Sequence, residues 1–276
     1  MNVWEKAEKF KALHQRDKAF VLPNPWDVGS AKMLAALGFE ALATTSAGFA
    51  FSSGKADSIG EISRQEALDH AAEIIAATPL PVSADLENGY GDAPETVAET
   101  VRLAAEIGLA GCTIEDTTND RDNPIYDRSL AIERIAAAAE AVAKLDRPFM
   151  LTARAENYLF GRQDFDDTLA RLRGYEAVGA DVLYAPGLPD LETISEVCRS
   201  VSRPVNVVAG IGLPGVTLAE LEKAGVRRIS AGSALARVAY GAMIDAAVEI
   251  HDTGSFASFK SAASFASLEK LIKSIP

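Results

Sequence analysis

Short apolar runs rich in Val, Ile and Leu alternate along the chain with longer stretches in which Ala, Leu and Ile recur among Glu, Arg and Lys. A short run that is apolar on both faces reads as a strand covered on two sides, and the longer period reads as an amphipathic helix. Strands are expected at residues 20–22, 41–46, 81–85, 111–116, 149–154, 181–185, 204–209 and 228–232. Helices are expected at residues 28–37, 63–78, 94–107, 129–145, 166–178, 191–202, 218–224 and 233–251. Four of these helices end at Gly38, Gly108, Gly179 and Gly225, where the left-handed conformation that closes a helix costs little. Three more stop ahead of Pro81, Pro148 and Pro204, whose rings cannot continue a helix. Eight β-then-α units in one chain predict a closed (β/α)8 TIM-type barrel rather than an open doubly wound sheet. A helix at residues 4–14 is expected to cap the barrel bottom, and an extra C-terminal helix is expected at 256–272. No linker composition interrupts the repeat, so residues 1–276 read as one domain.

Length and charge narrow the class. A chain of 276 residues suits one barrel, which typically needs about 250. A net charge of −12 makes nucleic acid and anionic membranes poor partners. The first twenty residues interleave charged with apolar positions, unlike a secretory signal, and Arg237 and Asp245 interrupt the most apolar late segment. Cys112 and Cys198 form no disulfide framework and no metal-ligand spacing. A cytoplasmic protein that handles a small molecule is the expectation. If that molecule is an anion, the acidic surface repels it, and capture must come from a cation, Arg or backbone N–H groups inside a pocket.

In such a barrel the active site is built from the C-terminal strand ends and the loops after them. There the sequence has Thr44, Thr45, Ser46, Ala47 and Gly48, then Asp57; Asp85 and Glu87; Glu115 and Asp116; Arg154 and Glu156; Tyr184; Asn206; and Ser230. His14, His70 and His251 fall on predicted helices, against a histidine base, a Ser-His-Asp triad or a histidine-bound zinc. No lysine lies in a predicted strand, against a Schiff-base mechanism. Converging carboxylates repel one another unless they are protonated or bind a cation. Oxygen ligands select Mg2+, Mn2+ or Ca2+, with Mg2+ first and Mn2+ as its substitute, and Asp57, Asp85, Glu87 and Glu115 are the candidate metal ligands. Any one of these acids alone is more often a turn cap or a solvated edge; their recurrence on successive strand ends is the signal. Asp57, Glu115 and Arg154 are the candidate catalytic residues. Thr45, Ser46, Ala47, Gly48, Asp85, Arg154 and Asn206 stand at the same rim, where a bound substrate would have to make its contacts.

At these positions the chain resembles the isocitrate lyase/phosphoenolpyruvate mutase superfamily, from about Leu22 to about Ala242. The segments that carry the likeness are Leu22-Pro23-Asn24-Pro25-Trp26-Asp27, Thr44-Thr45-Ser46-Ala47-Gly48 leading to Asp57, and Ser83-Ala84-Asp85-Leu86-Glu87-Asn88-Gly89-Tyr90-Gly91. Ile114-Glu115-Asp116, Thr152-Ala153-Arg154-Ala155-Glu156 and Gly179-Ala180-Asp181 continue it. The resemblance implies a Mg2+-dependent enzyme acting on 2-oxo acids or their aldol-type precursors, with Asp57, Asp85 and Glu115 holding the metal directly or through water. It implies that backbone N–H groups of Ser46, Ala47 and Gly48 receive a substrate carboxylate and that Arg154 binds the substrate. It also implies a homo-oligomer, commonly a tetramer, in which the helix at 233–251 packs on a neighbour. Two departures stand out. Ser83 replaces the first acid of the family's Asp-Ala-Asp, with Glu87 as a substitute carboxylate. The loop at 117–126 lacks the Lys-Lys-Cys-Gly-His signature that supplies the catalytic acid of the (methyl)isocitrate lyases.

The chemistry expected is a lyase acting on a 2-oxo or 2-hydroxy acid through a metal-stabilised enolate. Oxaloacetate-type decarboxylation tolerates the altered loop best, because it needs no proton donor before the bond breaks. Retro-aldol cleavage needs a base, for which only Tyr126, Asp120 or a metal-bound water offer themselves. Three alternatives remain: a phosphonopyruvate-type P–C bond hydrolase or mutase; a phosphosugar enzyme using Gly210-Ile211-Gly212 and Ala231-Gly232-Ser233 as a phosphate cradle; and a non-catalytic 2-oxo acid binder.

Overall fold

The computed structural model describes residues 1–57, 60–118, 120–210 and 213–275. Among them, eight strands pair in parallel in the order β1-β8-β7-β6-β5-β4-β3-β2. They are β1 Phe20–Leu22, β2 Leu42–Ala43, β3 Val82–Asp85, β4 Gly111–Glu115, β5 Met150–Arg154, β6 Val182–Tyr184, β7 Val205–Val208 and β8 Arg228–Ser230. The two ends of this order meet where the Ala43 N–H donates to the Pro23 carbonyl at 3.1 Å. Asn24 braces the same seam: its Nδ2 donates to the Thr44 carbonyl at 2.9 Å, and its Oδ1 accepts from the Ala231 N–H at 2.9 Å. The result is the expected (β/α)8 barrel, nearly closed.

Helices follow the strands on the outside: α2 Val28–Ala36, α4 Arg64–Ala76, α5 Pro94–Glu106, α6 Arg128–Ala143, α7 Phe165–Ala177, α8 Leu191–Ser200, α9 Leu218–Lys223 and α10 Ala234–Thr253. Local chemistry sets their starts. Asp27, Ser63 and Thr217 cap α2, α4 and α9 through reciprocal side-chain and backbone hydrogen bonds, and each such cap contributes about 1 kcal/mol. The N-terminal helix α1, Val3–Gln15, plugs the barrel bottom as expected. Its buried Phe10 meets Phe20 edge-on at 6.4 Å and packs with Leu22, Met150 and Val182.

Two expectations need correction, and one helix stands apart. Strand two is only Leu42–Ala43, because Ser46 opens an additional helix, α3 Ser46–Ser52, capped by the Thr45 side chain. The sequence by itself gives a loop there after Ser46, because a seven-residue helix is too short to register a period. The C-terminal segment is not one helix but a 3-10 turn at Ala257–Ser261 followed by α11, Phe265–Lys273, which packs on α2. Lastly, α10 is barely attached to its own barrel: of its 20 residues only Ala236 is buried, while Val238, Met243, Ile244 and Val248 face outward. No helix of the described residues is long and apolar enough to cross a membrane.

Candidate active site

Parallel register partners share a face of the sheet, and one register row here joins Glu115, Arg154, Tyr184, Asn206 and Arg228. All five therefore project to the barrel interior, and strand tilt carries the row from the mouth downward. At the mouth Arg154 is the hub. Its Nη1 lies 3.2 Å from Asp85 Oδ1 and 3.0 Å from Glu115 Oε2, and its Nε donates to Glu156 Oε1 at 2.7 Å. The Tyr184 ring lies beneath the guanidinium at 5.0 Å. Asp85 is further held by the Ser46 hydroxyl at 3.0 Å and the Thr113 hydroxyl at 3.3 Å, and Thr117 donates to Glu115 at 2.7 Å. Asp85 and Glu115 thus share one nitrogen.

The electrostatics are those of too many acids for one cation. Burial by itself lowers the Arg154 pKa, but Glu156, Glu115 and Asp85 hold it well above its ordinary value. Glu87 has no such partner: burial, then Asp85, Glu115 and Asp57, push its carboxyl up to about 8. Burial and then Asp85 raise Asp57 as well. The loop that carries Glu87 is pinned from behind. Glu87 and Tyr90 hold left-handed backbone with φ of 47° and 62°. Arg134 of α6 fixes the turn by donating to the carbonyls of Asn88, Gly91 and Asp92. A strained turn held this firmly presents its acid at a set position.

A cavity of about 160 Å³ opens between these strand ends. It is small beside the roughly 300–1,000 Å³ of drug-sized sites. Asp57, Asp85, Arg154, Thr45, Ser46, Ala47 and Asn206 line it, as the sequence led us to expect. Others do not. Glu115 stands behind Arg154 and does not line the cavity, and Glu87 lines only a neighbouring crevice with His70 and Tyr90. Gly48 is also lost as a donor, because its N–H is taken by the capping Thr45 Oγ1 at 3.2 Å. Nor does either proposed base reach the cavity: Tyr126 donates to Asp92 at 2.6 Å and Asp120 caps its own exposed loop. Of the phosphate cradle, Ile211 and Gly212 lie outside the described residues, whereas Gly232 and Ser233 line the cavity. The cavity also has walls that strand-end reasoning overlooked: Asn24, Ser83, Tyr184 and Arg228. Arg228 was detectable as a charged residue two positions from Ser230, on the same face of a strand.

Among the described residues no three His, Cys, Asp or Glu side chains form a ready-made metal cluster. The donor set nevertheless fits a hard divalent cation: every candidate is a carboxylate, and Glu87 and Asp57 carry raised pKa values that a cation would reverse. Few direct protein ligands is the usual arrangement for Mg2+, which keeps several waters.

A parallel barrel whose strand ends gather acids and two arginines around a small cavity is the framework of an enzyme. Comparison with known proteins narrows that class: the phosphoenolpyruvate phosphomutase family model matches residues 10–251, and the chain belongs to that family, within the isocitrate lyase/PEP mutase superfamily of lyases and mutases. A candidate lyase/mutase of Burkholderia cenocepacia J2315 is 54% identical, with a TM-score of 0.94 over 97% of this chain and 95% of that one. A candidate phosphonomutase of the same organism is 35% identical, with a TM-score of 0.79 over 92% of this chain and 100% of that one. Oxaloacetate decarboxylase of Marinomonas sp. is 28% identical over 72% of this chain and 69% of its own length.

Proposed function

We propose that the protein is a Mg2+-dependent lyase that cleaves a C–C bond of a small 2-oxo or 2-hydroxy acid, with oxaloacetate-type decarboxylation first. The observation that carries this reading is the meeting of Asp85 and Glu115 on one nitrogen of Arg154, above a cavity sized for a small acid. Asp85 and Asp57 on the cavity side, with Glu87 and Glu115 behind, would hold the metal. When bound, it supplies a Lewis acid that stabilises charge on the substrate's C2 oxygen.

The chain's own groups do the rest. Arg154 Nη2 has no protein partner among the described residues, so it is free to donate to the substrate, while Nη1 and Nε are fixed by carboxylates. A guanidinium anchored on two edges needs no reorganisation when charge develops, which is where most of the electrostatic gain in a site of this kind comes from. The Ala47 N–H in the first turn of α3 is likewise uncommitted and lines the cavity. As the C3–C4 bond breaks, carbon dioxide leaves and the electron pair spreads to the C2 oxygen beside these donors. C3 then takes its proton from solvent, which suits a cavity with no histidine or lysine among the described residues of its wall. The resemblance of the chain to oxaloacetate decarboxylase supports this choice.

A second reading, P–C bond chemistry on a phosphonopyruvate-like acid, is supported by the match to the phosphomutase model and to the candidate phosphonomutase. Incubation with Mg2+ and oxaloacetate, phosphonopyruvate or 2-methylisocitrate separates the readings. Pyruvate from oxaloacetate above the metal-only rate is expected. Phosphate release instead would move the assignment to the second reading, and binding without any turnover would make the protein a 2-oxo acid binder. The outward apolar face of α10 supports a homo-oligomer, a tetramer or a dimer. Light scattering at micromolar concentration tests it, a monomer being the refuting result. The free Cys112 and Cys198 support a cytoplasmic location.

A further inference from the structure

Below the mouth, the barrel interior is polar where such barrels are usually filled by Val, Ile and Leu. Ser83, Thr152, Asn206 and Arg228 are all buried there. Arg228 is only 2% exposed and has, among the described residues, a single side-chain partner, Thr152 Oγ1, which accepts from Nη1 at 2.8 Å. Its Nε has no partner, and neither do Asn206 Oδ1 and Ser83 Oγ. No carboxylate of the described residues lies within ion-pair distance of Arg228, in contrast to Arg154 and Arg171. Burial lowers its pKa to about 10, so it stays charged at neutral pH.

A buried guanidinium with neither a counter-ion nor, as Arg134 has, a set of carbonyl acceptors is costly, and charges left in that state cluster at ligand sites. The cavity leads to it: Arg228, Ser83 and Asn206 line the same space as Arg154, and Arg228 and Arg154 share a register row through Tyr184 and Asn206. Two arginines therefore face one small cavity from different depths. The upper one is already neutralised by protein acids and the lower one is not.

We propose that Arg228 is a specificity-determining residue that receives a second oxyanion group of the substrate, so that the site takes dicarboxylic or phosphono 2-oxo and 2-hydroxy acids in preference to monocarboxylic ones. Asn206 Nδ2 already donates to Ser230 Oγ at 3.1 Å, which leaves the Ser83 hydroxyl as the neighbouring donor to the same group. The inference deepens the proposed function and rests on its reading of the cavity as the acid-binding site.

The test is calorimetric, with Mg2+ present, on two acids that differ only in a carboxylate replaced by a methyl: 2-hydroxysuccinate and 2-hydroxybutyrate. The wild-type protein is expected to prefer the dicarboxylate by about 10²-fold, the usual effect of one buried charge pair. Arg228→Met is expected to bring that preference down to a few-fold while leaving 2-hydroxybutyrate affinity unchanged. Arg228→Lys keeps the charge without the fork and is expected to retain part of the preference; it stands in if the Met variant melts below the assay temperature. Phosphonopyruvate against pyruvate is the arm for a phosphonate in place of the carboxylate. A wild type without preference overturns the inference, as does a Met variant that keeps the preference or weakens both acids equally. Because the readout is binding, absence of turnover would remove the proposed reaction and leave this inference standing. Equal binding of both acids would remove only the role of Arg228.

Discussion

Glu115 and Asp116 are neighbours at the end of β4, and each meets a buried arginine, yet the two surroundings are built on different principles. Asp116 points away from the barrel interior, toward α7. Its Oδ2 accepts from Arg171 Nη1 at 2.9 Å and from the Tyr175 hydroxyl at 2.7 Å, and its Oδ1 accepts from the Glu156 N–H at 2.9 Å. Arg171 is in turn held by Asp167 and the Tyr126 carbonyl. Every charge there has its complement, which is what makes a buried ion pair tolerable. Glu115 points inward and must share Arg154 with Asp85 and Glu156, while Glu87 and Asp57, crowded by the same acids, have raised pKa values and no ion pair among the described residues. The outer assembly holds α7 to the sheet. The inner one is electrostatically incomplete, and incompleteness of this kind is the mark of a site that awaits a ligand.

The contrast can be broken from either side. Asp116→Asn removes one of the two carboxylates that hold Arg171 and is expected to cost about 1.5–3 kcal/mol in urea unfolding; a loss under about 0.5 kcal/mol would mean the outer network carries little. Asp85→Asn is expected to do the reverse: turnover of oxaloacetate falls by about 10²–10³-fold, while the melting temperature stays level or rises, because one crowded charge is gone. Mg2+ at a hundred times its dissociation constant should stabilise the wild-type protein by about 2.7 kcal/mol, seen as a raised melting temperature, and the shift should shrink in Asp85→Asn. An equal shift in both proteins would put the metal elsewhere.

Glu87→Gln gives the smallest and most specific effect. With a carboxyl pKa of about 8 against an ordinary 4.5, the folded metal-free protein retains a proton that the unfolded chain gives up between those values. The contribution of Glu87 to stability therefore falls as pH rises through that window and is lost above about pH 8. Gln has no proton to lose, so it should stabilise the metal-free protein by about 1–3 kcal/mol above that window and by nothing below it. Urea midpoints measured across the range check both the sign and the limits.

Much of this was legible in the order of residues. The alternation of apolar runs with helical stretches, and the glycines and prolines between them, are local signals, and seven of the eight expected strands lie within a residue or two of those observed. The acids and Arg154 could be found because a barrel sends strand ends to one rim. What could not be read was the direction of each side chain. Glu115 and Asp116 look alike in sequence, and the one-residue alternation of a strand sends them to opposite faces. The loss of the Gly48 N–H to Thr45 depended on a short helix that its own residues do not announce.

By itself, then, the sequence determined the eightfold repeat, the helix caps and the excess of oxygen ligands at one end of the barrel, because each depends on neighbours within a few positions. Only the tertiary structure decided that five side chains from five strands share an interior row, that Arg154 is saturated with carboxylates and that Arg228 has none. Those facts depend on strand register, which is set by the closing of the whole sheet and has no local trace in the chain.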